Sequence, residues 1–309
     1  MVRVWQFFVS YCKKVFKLIF SCYLWVCWPY SLYLLVPNQL FSFSRHRQNA
    51  FISLVNKSIN YIKAQWVNDN YQISIGNVQF IVPYLVNDII EISRCFITIK
   101  DSKVIKCLDN PYFFEGPYIT DHCYLKPGDL VLDVGANLGL FSVFAALEVG
   151  PTGRVLAFEP NERAVNIMRD NLRLNNINNV DIFYDVLTDQ IGEVDFHIDL
   201  DGTFGASSIF TTRFNKVLQI KAQQNTIDRF VREHNIERID FIKADIEGAE
   251  RLMLKGAEET IKHFKPTIAI RIYHFPDDPE VIENILREYV PEYRIEKFGR
   301  KTLYAYLER

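Results

Sequence analysis

Two short stretches of the chain carry residues whose types and spacing could do chemistry. Asp133, Gly135 and Gly139 lie in the run Asp-Val-Gly-Ala-Asn-Leu-Gly, directly after apolar residues. Asp245 and Glu247 follow a second apolar run. Glycines let the backbone pass close to a small molecule, and carboxylates can bind cations or accept protons. The two stretches together predict a small-molecule site that contains acid–base groups.

The glycine spacing of the first stretch separates two kinds of nucleotide-like ligand. A dinucleotide site requires Gly-x-Gly-x-x-Gly, whereas this chain has Asp133-x-Gly135-x-x-x-Gly139. An acid in the turn would repel a pyrophosphate but suit the cationic amino-acid end of S-adenosylmethionine. Glu159 could accept hydrogen bonds from the ribose hydroxyls of either ligand. These residues favour S-adenosylmethionine as cofactor, and an NAD-dependent oxidoreductase is the alternative.

Two residues are candidates for moving a proton. His274 follows a predicted strand, and the unperturbed pKa of histidine, about 6.5, suits proton transfer at neutral pH. Asp245 is the rival base, and it could instead help to hold a divalent cation that acidifies an acceptor hydroxyl. We therefore predict His274 and Asp245 as catalytic residues. No complete set of metal ligands is predicted, and a divalent cation is left open as a second cofactor.

The predicted elements would bring these residues to one edge of a sheet. Strands that alternate with helices predict a Rossmann-like, doubly wound, mostly parallel α/β sheet. A terminal hairpin would add one antiparallel strand at or near its edge. Ligands of such sheets bind outside the carboxyl ends of the strands. The predicted strands are Leu130–Val134, Val155–Phe158, Asp181–Tyr184, Ile239–Ala244, Thr267–Ile272 and the hairpin Tyr293–Lys297 with Leu303–Leu307, and the helices are Leu138–Glu148, Glu162–Asn175, Thr226–His234, Gly248 to about His263 and Pro279–Tyr289.

Four segments of the chain resemble the FkbM family of S-adenosylmethionine-dependent methyltransferases. They are Asp133–Gly139, Ala157–Asn161, Ile242–Glu250 and Leu254–Ala257, in the family's order. The resemblance implies a Rossmann-like core and methylation of hydroxyl groups, often on sugars or natural products. It implies that Asp245 faces the methyl group or the acceptor. The predicted cofactor-binding set is Asp133, Gly135, Asn137, Gly139, Glu159 and Asn161.

One position departs from the family pattern. Many family members end the fifth core strand with Glu, whereas this chain has Ile270, Arg271 and Ile272 followed by Tyr273 and His274. The group that takes the acceptor's proton therefore has to be found in this chain's own residues.

The N-terminal 50 residues differ in composition from the remainder. They contain six Lys or Arg residues and no acid, and no Lys, Arg, Asp or Glu occurs from Leu18 to Ser44. This basic, aromatic-rich segment is typical of contact with a membrane surface. It could be an interfacial or re-entrant anchor, a spanning helix, or a helical extension that packs on the body or a partner. The remainder has 29 basic and 37 acidic residues, which argues against a nucleic-acid partner.

These observations predict three regions. Residues 1–50 form the membrane-anchor-like segment, and 121–309 form the methyltransferase domain. Between them, 51–120 comprise a helical connector over 51–75 and a small β-containing cap with the alternating apolar runs Val78–Val82 and Phe96–Lys100. The predicted partners are a small-molecule or glycan acceptor and the cytoplasmic face of a membrane, and the oligomeric state is left open. A membrane-tethered, non-catalytic binding protein with the same fold is the alternative from a different functional class.

Overall fold

The computed structural model describes residues 62–67, 70–75, 77–83, 117–200, 207–210 and 217–308. The membrane-anchor-like segment 1–50 and the second predicted run of the cap, Phe96–Lys100, lie outside these ranges. None of the helices within them combines the length and the apolar character needed to cross a bilayer.

The described residues form thirteen strands and six helices. The strands are β1 (Ile62–Val67), β2 (Asn70–Ile75), β3 (Val78–Val82), β4 (Leu130–Val134), β5 (Arg154–Phe158), β6 (Val180–Phe183), β7 (Val186–Leu187), β8 (Gly192–Asp199), β9 (Val217–Asn225), β10 (Phe241–Ala244), β11 (Thr267–Arg271), β12 (Arg294–Phe298) and β13 (Thr302–Tyr306). The helices are α1 (Leu140–Val149), α2 (Glu162–Leu174), α3 (Ile227–Glu233), α4 (Glu250–Lys255), α5 (Glu258–Phe264) and α6 (Asp278–Tyr289).

The central sheet of the described residues has seven strands in the order β12-β13-β11-β10-β4-β5-β6. Its strands β4, β5, β6, β10 and β11 pair in parallel, and β13 runs antiparallel to both β11 and β12. The strand order reverses at β4, because the chain first adds β5 and β6 on one side and later β10 and β11 on the other. That reversal creates a crevice at the carboxyl ends of the strands. The predicted mostly parallel α/β sheet with a terminal antiparallel strand is confirmed.

Both faces of the central sheet are buried, as a mostly parallel sheet requires. Leu132 and Val134 of β4 belong to one apolar cluster together with Met253 of α4. Val131, from the same strand, belongs to another cluster together with Phe141 of α1. Successive side chains of a strand point to opposite faces, so β4 contributes to the core on both sides. This burial fixes the positions of the strand ends that carry the polar residues.

The prediction of a helical connector over residues 51–75 is wrong where the structure describes it. Residues 62–75 form β1 and β2, which continue into β3 as a three-stranded antiparallel sheet. The register pairs Val67 with Asn70 and Ile75 with Val78. In the sequence, Asn-Asp and Gly-Asn separate these pairs, and such residues are common between paired strands. These short polar breaks were the signal in the sequence that favoured strands over a helix.

The predicted helix from Gly248 to about His263 is also wrong as a single element, because it is divided at Gly256. A Cβ atom at Gly256 would lie 1.9 Å from the carbonyl oxygen of Thr188. The segment that carries Thr188 therefore crosses the chain at this point, and only glycine leaves room for it. The carboxylate of Asp228 then accepts hydrogen bonds from the backbone N–H groups of Glu259 and Thr260, at the start of α5.

The small β1–β3 sheet is attached to α2 by two asparagine side chains. The backbone N–H of Ile81 donates to Oδ1 of Asn171, and that of Gln79 donates to Oδ1 of Asn175. Asn171 is fully buried, and its Nδ2 donates to the carbonyl oxygen of Leu138. One side chain thus joins the edge of β3 to the turn between β4 and α1.

Candidate active site

The turn between β4 and α1 has a backbone that few residue types can adopt. Gly135, Asn137 and Gly139 have φ values of 76°, 49° and 74°. A Cβ atom at Gly135 would lie 2.0 Å from the carbonyl oxygen of Asp245. The glycine turn and the carboxylate motif, which are far apart in the sequence, therefore touch in the fold.

Asp133 lies beneath this turn and is fully buried. Its Oδ2 accepts a hydrogen bond from Oγ of Ser142 at 2.6 Å, and its Oδ1 lies 3.0 Å from Nζ of Lys243. Lys243 occupies the position directly opposite Asp133 on the neighbouring strand β10 and also donates to the carbonyl oxygen of Gly135. The charge of Asp133 is therefore compensated within the protein. Its direct contact with a cationic cofactor stays a prediction.

Glu159 follows β5 and faces the same turn. Its Oε2 accepts a hydrogen bond from the backbone N–H of Asn137, and its Oε1 accepts one from the backbone N–H of Asn161. Burial raises the pKa of Glu159 to about 7, against the lowering effect of these two hydrogen bonds. This carboxyl therefore sits at the border between its neutral and charged forms at physiological pH. Ribose hydroxyls, as donors, would favour the charged form.

Asn161 has a structural role in addition to its predicted contact with the cofactor. It is the N-cap of α2, and its Oδ1 accepts a hydrogen bond from the backbone N–H of Arg163. Asn161 is fully buried, and its Nδ2 has no hydrogen-bond partner among the described residues. Gly139 is the N-cap of α1, and a Cβ atom there would lie 2.3 Å from Cγ of Met168 in α2. Both positions shape the cofactor turn through helix placement.

Asp245 directly follows β10, and one of its carboxylate oxygens is held by two partners. Its Oδ2 accepts a hydrogen bond from the hydroxyl of Tyr118 at 2.7 Å and lies 3.4 Å from Nε of Arg271. Burial by itself would raise the pKa of Asp245, but the positive charges of Arg271, Lys243 and His274, with the Tyr118 hydroxyl, lower it to about 2. Asp245 is therefore a carboxylate at neutral pH. Its Oδ1 has no hydrogen-bond partner among the described residues.

Arg271 explains how the departure from the family pattern fits this site. The side chain is fully buried at the end of β11, and its guanidinium lies 4.1 Å from the centre of the Tyr118 ring. It also donates to the hydroxyl of Thr302 on β13. A buried arginine needs such partners, because an isolated charge would be costly in the protein interior. Arg271 thus fixes the position of Asp245.

The turn after Asp245 presents Glu247 in a left-handed conformation, with a φ of 52°. Glu250 stabilises this turn, because its two carboxylate oxygens accept hydrogen bonds from the backbone N–H groups of Ile246 and Gly248. The hydroxyl of Ser208 donates to the carbonyl oxygen of Glu247. Burial raises the pKa of Glu247, although its side chain is still 31% exposed.

His274 lies between the two glutamates of this turn. Its Nδ1 is 3.1 Å from Oε1 of Glu250, and its Nε2 is 3.6 Å from Oε2 of Glu247. Burial acts to lower the pKa of His274, but the two carboxylates outweigh it and raise the pKa to about 11. In this arrangement the ring carries a positive charge at neutral pH, which opposes its use as a general base. That role stays a prediction.

The structure brings the predicted residues together in two adjoining groups. The cofactor-binding candidates surround the β4–α1 turn. The catalytic candidates Asp245 and His274 join Glu247, and one potential ligand atom from each of the three lies within 4.8 Å of the others.

Four further residues of the site were not singled out from the sequence. The sequence does contain a signal for Lys243, because a lysine inside the apolar strand β10 requires a partner within the protein. Tyr118 carried no such signal, because it lies outside the regular elements. The sequence analysis also did not single out Phe210 and Phe275. Their ring centroids lie 5.6 Å apart, beside Gly248.

Comparison with known proteins places this architecture among methyltransferases. Residues 133–293, more than half of the chain, match the methyltransferase FkbM domain. The methyltransferase sdnD of Sordaria araneosa is 27% identical over 179 residues, which cover 48% of this chain and 69% of that protein.

Two other relatives have names that specify an oxygen atom as the methylated position. The 2-O-methyltransferase NoeI of Sinorhizobium fredii is 27% identical over 149 residues, which cover 44% of this chain and 60% of NoeI. The 31-O-demethyl-FK506 methyltransferase FkbM of Streptomyces tacrolimicus is 31% identical over 182 residues, which cover 48% of this chain and 68% of that protein. The chain thus spans about two thirds or less of the lengths of these relatives.

Proposed function

We propose, on the premise that this chain belongs to the FkbM family of S-adenosylmethionine-dependent methyltransferases, that it methylates a hydroxyl group of a saccharide, glycolipid or natural product. One observation carries this proposal. The glycine turn of β4 and the Asp245–Glu247 motif are in direct contact at Gly135, so a donor in the turn would present its methyl group to the carboxylates. Family membership favours S-adenosylmethionine over the nicotinamide alternative.

The chemistry required of the site is modest. The hydroxyl oxygen would attack the methyl carbon in line with the departing sulfur. The carbon–sulfur bond would break with its electron pair on sulfur, and the hydroxyl proton would pass to solvent. Positioning of the two reactants supplies much of the acceleration in such a transfer. Asp245 is suited to orient the acceptor, because it is ionised and is held rigidly by Tyr118 and Arg271.

Aromatic side chains beside the carboxylates support a ring-shaped acceptor. Phe210 and Phe275 are 39% and 38% exposed and lie edge to face. A Cβ atom at Gly248 would lie 3.1 Å from the Phe275 ring and 3.3 Å from the Phe210 ring, so glycine permits their close approach to the turn. Aromatic faces provide large, rigid contact surfaces for an apolar ligand face. The carbon-bound hydrogens of a sugar ring or a natural product fit this description.

The relatives support oxygen as the acceptor atom. Both NoeI and FkbM carry names that specify an O-methylated position. The N-terminal segment adds a proposal about location, because residues 1–50 combine six basic residues with a long uncharged stretch rich in aromatics. Such segments bind anionic membrane surfaces, so a lipid-linked or membrane-adjacent saccharide at the cytoplasmic face is the favoured acceptor.

Two measurements test the proposed activity. Calorimetry should detect binding of S-adenosylmethionine, and the protein should transfer labelled methyl groups to hydroxyl compounds in an extract of its source cells. Asp245→Asn should lower the transfer by about 10²-fold or more, since removal of a charged positioning group has effects of that size. Glu280→Gln, on the exposed start of α6, should leave it unchanged. Binding of NADH in place of S-adenosylmethionine would contradict the proposal.

A further inference from the structure

We propose that Asp245, Glu247 and His274 bind one divalent transition-metal ion, and that this ion contacts the hydroxyl oxygen of the acceptor. The three side chains project from the carboxyl ends of β10 and β11 and from the turn between β10 and α4. One oxygen or nitrogen atom from each lies within 4.8 Å of the others. Two ligands on opposite sides of such an ion are separated by about 4 Å, so this spacing fits a single ion.

Two of the proposed ligands, Asp245 and Glu247, are held in place by neighbouring side chains. Oδ2 of Asp245 is bound by Tyr118 and Arg271, whereas Oδ1 has no hydrogen-bond partner among the described residues. The backbone of Glu247 is held by the Ser208 hydroxyl. One carboxylate oxygen of Asp245 therefore stays available, although its side chain is largely buried.

The surroundings of His274 match those of a histidine that ligates a metal. Its side chain is 9% exposed, and its Nδ1 lies 3.1 Å from Oε1 of the fully buried Glu250. Carboxylates commonly lie behind metal-bound histidines in this way. Nε2 faces Glu247 at 3.6 Å, beyond hydrogen-bond length, and neither ring nitrogen makes a hydrogen bond within the described part of the chain.

A bound ion explains the unpartnered atoms of this cluster better than a proton on His274 does. A proton on Nε2 could serve Glu247 but would leave Oδ1 of Asp245 without a partner. One ion in the shared space would displace the proton from Nε2 and contact all three side chains. Two carboxylates and one imidazole, with no thiolate, suit a divalent ion that accepts both oxygen and nitrogen ligands, such as Mn²⁺. They suit Ca²⁺, which takes oxygen ligands, less well.

The ion would also explain how the acceptor hydroxyl loses its proton. This part of the proposal rests on the proposed function. Coordination of a hydroxyl oxygen by a divalent ion makes the hydroxyl more acidic, so the proton can leave to solvent without a histidine base. The oxygen then forms its bond to the methyl carbon as the carbon–sulfur bond breaks, and S-adenosylhomocysteine is released.

Ion binding can be measured independently of methyl transfer. The full-length protein is treated with a chelator, passed over a desalting column and titrated with MnCl₂ in a calorimeter. We expect one Mn²⁺ per chain, at least tenfold weaker binding for Glu247→Gln, and loss of binding for His274→Ala. Matched controls are Glu280→Gln and His263→Ala, which change exposed residues of α6 and α5. Glu250→Gln, behind His274, should weaken the affinity about 10–100-fold.

The outcomes separate the two proposals. Loss of Mn²⁺ binding in the site variants, with native far-ultraviolet circular dichroism and unchanged binding in the controls, supports the ion site. Absence of Mn²⁺ binding, or binding that His274→Ala and Glu247→Gln leave unchanged, overturns it. If chelated protein still binds S-adenosylmethionine and transfers methyl groups at full rate, the ion's catalytic role fails while the methyltransferase function stands. If S-adenosylmethionine does not bind but Mn²⁺ does, the proposed methyltransferase function fails while the ion site stands.

Discussion

At the scale of single residues, the site depends on charges that are buried together with their partners. The Asp133–Lys243 pair is the clearest case, since both side chains are almost completely buried. The sequence identifies Asp133 as part of a cofactor turn and shows that Lys243, inside an apolar strand, needs a buried partner. It does not show that the two pair with each other, because the register of β4 against β10 depends on the whole sheet.

Lys243→Met should strongly destabilise the protein. The change leaves the Asp133 carboxylate buried without its cation, and the loss of one partner of a buried pair costs about 3–5 kcal/mol. The free energy of unfolding in urea measures the effect. The double variant Asp133→Leu with Lys243→Met removes both charges and should recover much of the stability. Equal stability of the single variant and the wild type would contradict this account.

Glu159 should make the affinity for S-adenosylmethionine depend on pH. Burial raises its pKa from 4.5 to about 7, so the protein without cofactor binds a proton there as the pH falls through 7. If ribose hydroxyls donate to the carboxylate, that proton competes with the cofactor. The dissociation constant should rise by up to about tenfold per pH unit below 7 and level off above it.

Glu159→Gln provides the control for this pH dependence. The amide has no charge to lose, so binding should be weaker at pH 8 and nearly constant from pH 5.5 to 8.5. Calorimetry across that range gives both curves. A flat profile for the wild type would exclude Glu159 as the titrating ribose ligand.

At the scale of elements, the strands and helices of the central sheet were predicted closely, because their hydrophobic patterns repeat with clear periods. β4 has the predicted bounds, Leu130–Val134. The failures have local physical causes. The β1 and β2 strands are short, so their alternating pattern was too brief to recognise in the sequence. The break at Gly256 depends on a carbonyl oxygen that lies far away in the sequence.

The turn after β4 offers a test of how closely two elements approach each other. Gly135→Ala introduces both a left-handed alanine and a collision with the Asp245 carbonyl oxygen. Gly299→Ala introduces an alanine at a positive φ of 55° alone, since no atom lies within 4 Å of its new Cβ. The control should cost about 1–2 kcal/mol of unfolding free energy, and Gly135→Ala should cost more and weaken cofactor binding. Equal costs would mean that the two motifs are not in contact.

At the scale of the whole molecule, the family and the fold could be predicted from the sequence. The roles of individual residues in the active site could be assigned only from the structure. His274 is the example, because its surroundings of Glu247 and Glu250 could not be inferred from its position after β11. The division into regions 1–50, 51–120 and 121–309 stays a prediction. So does membrane binding by the first region.

Membrane binding can be tested with the full-length protein and a shortened protein that starts at Asn49. The full-length protein should sediment with vesicles that contain anionic lipid, because its N-terminal segment is basic and aromatic-rich. The shortened protein should stay in the supernatant. High salt should reduce the sedimentation by screening the charges. The same distribution for both proteins would remove the anchor proposal.

The asparagine contact between β3 and α2 has a mechanical consequence. Force applied to the chain ahead of β1 would pass through the ladder of the three-stranded sheet to the N–H of Ile81 and then to Asn171. From there it reaches the carbonyl oxygen of Leu138, inside the cofactor turn. Asn171 would therefore carry part of this force, together with Asn175, which holds Gln79 of the same strand. Pulling on the N-terminal end would strain the turn that surrounds Gly135 and Asn137 before it disturbs the buried central sheet.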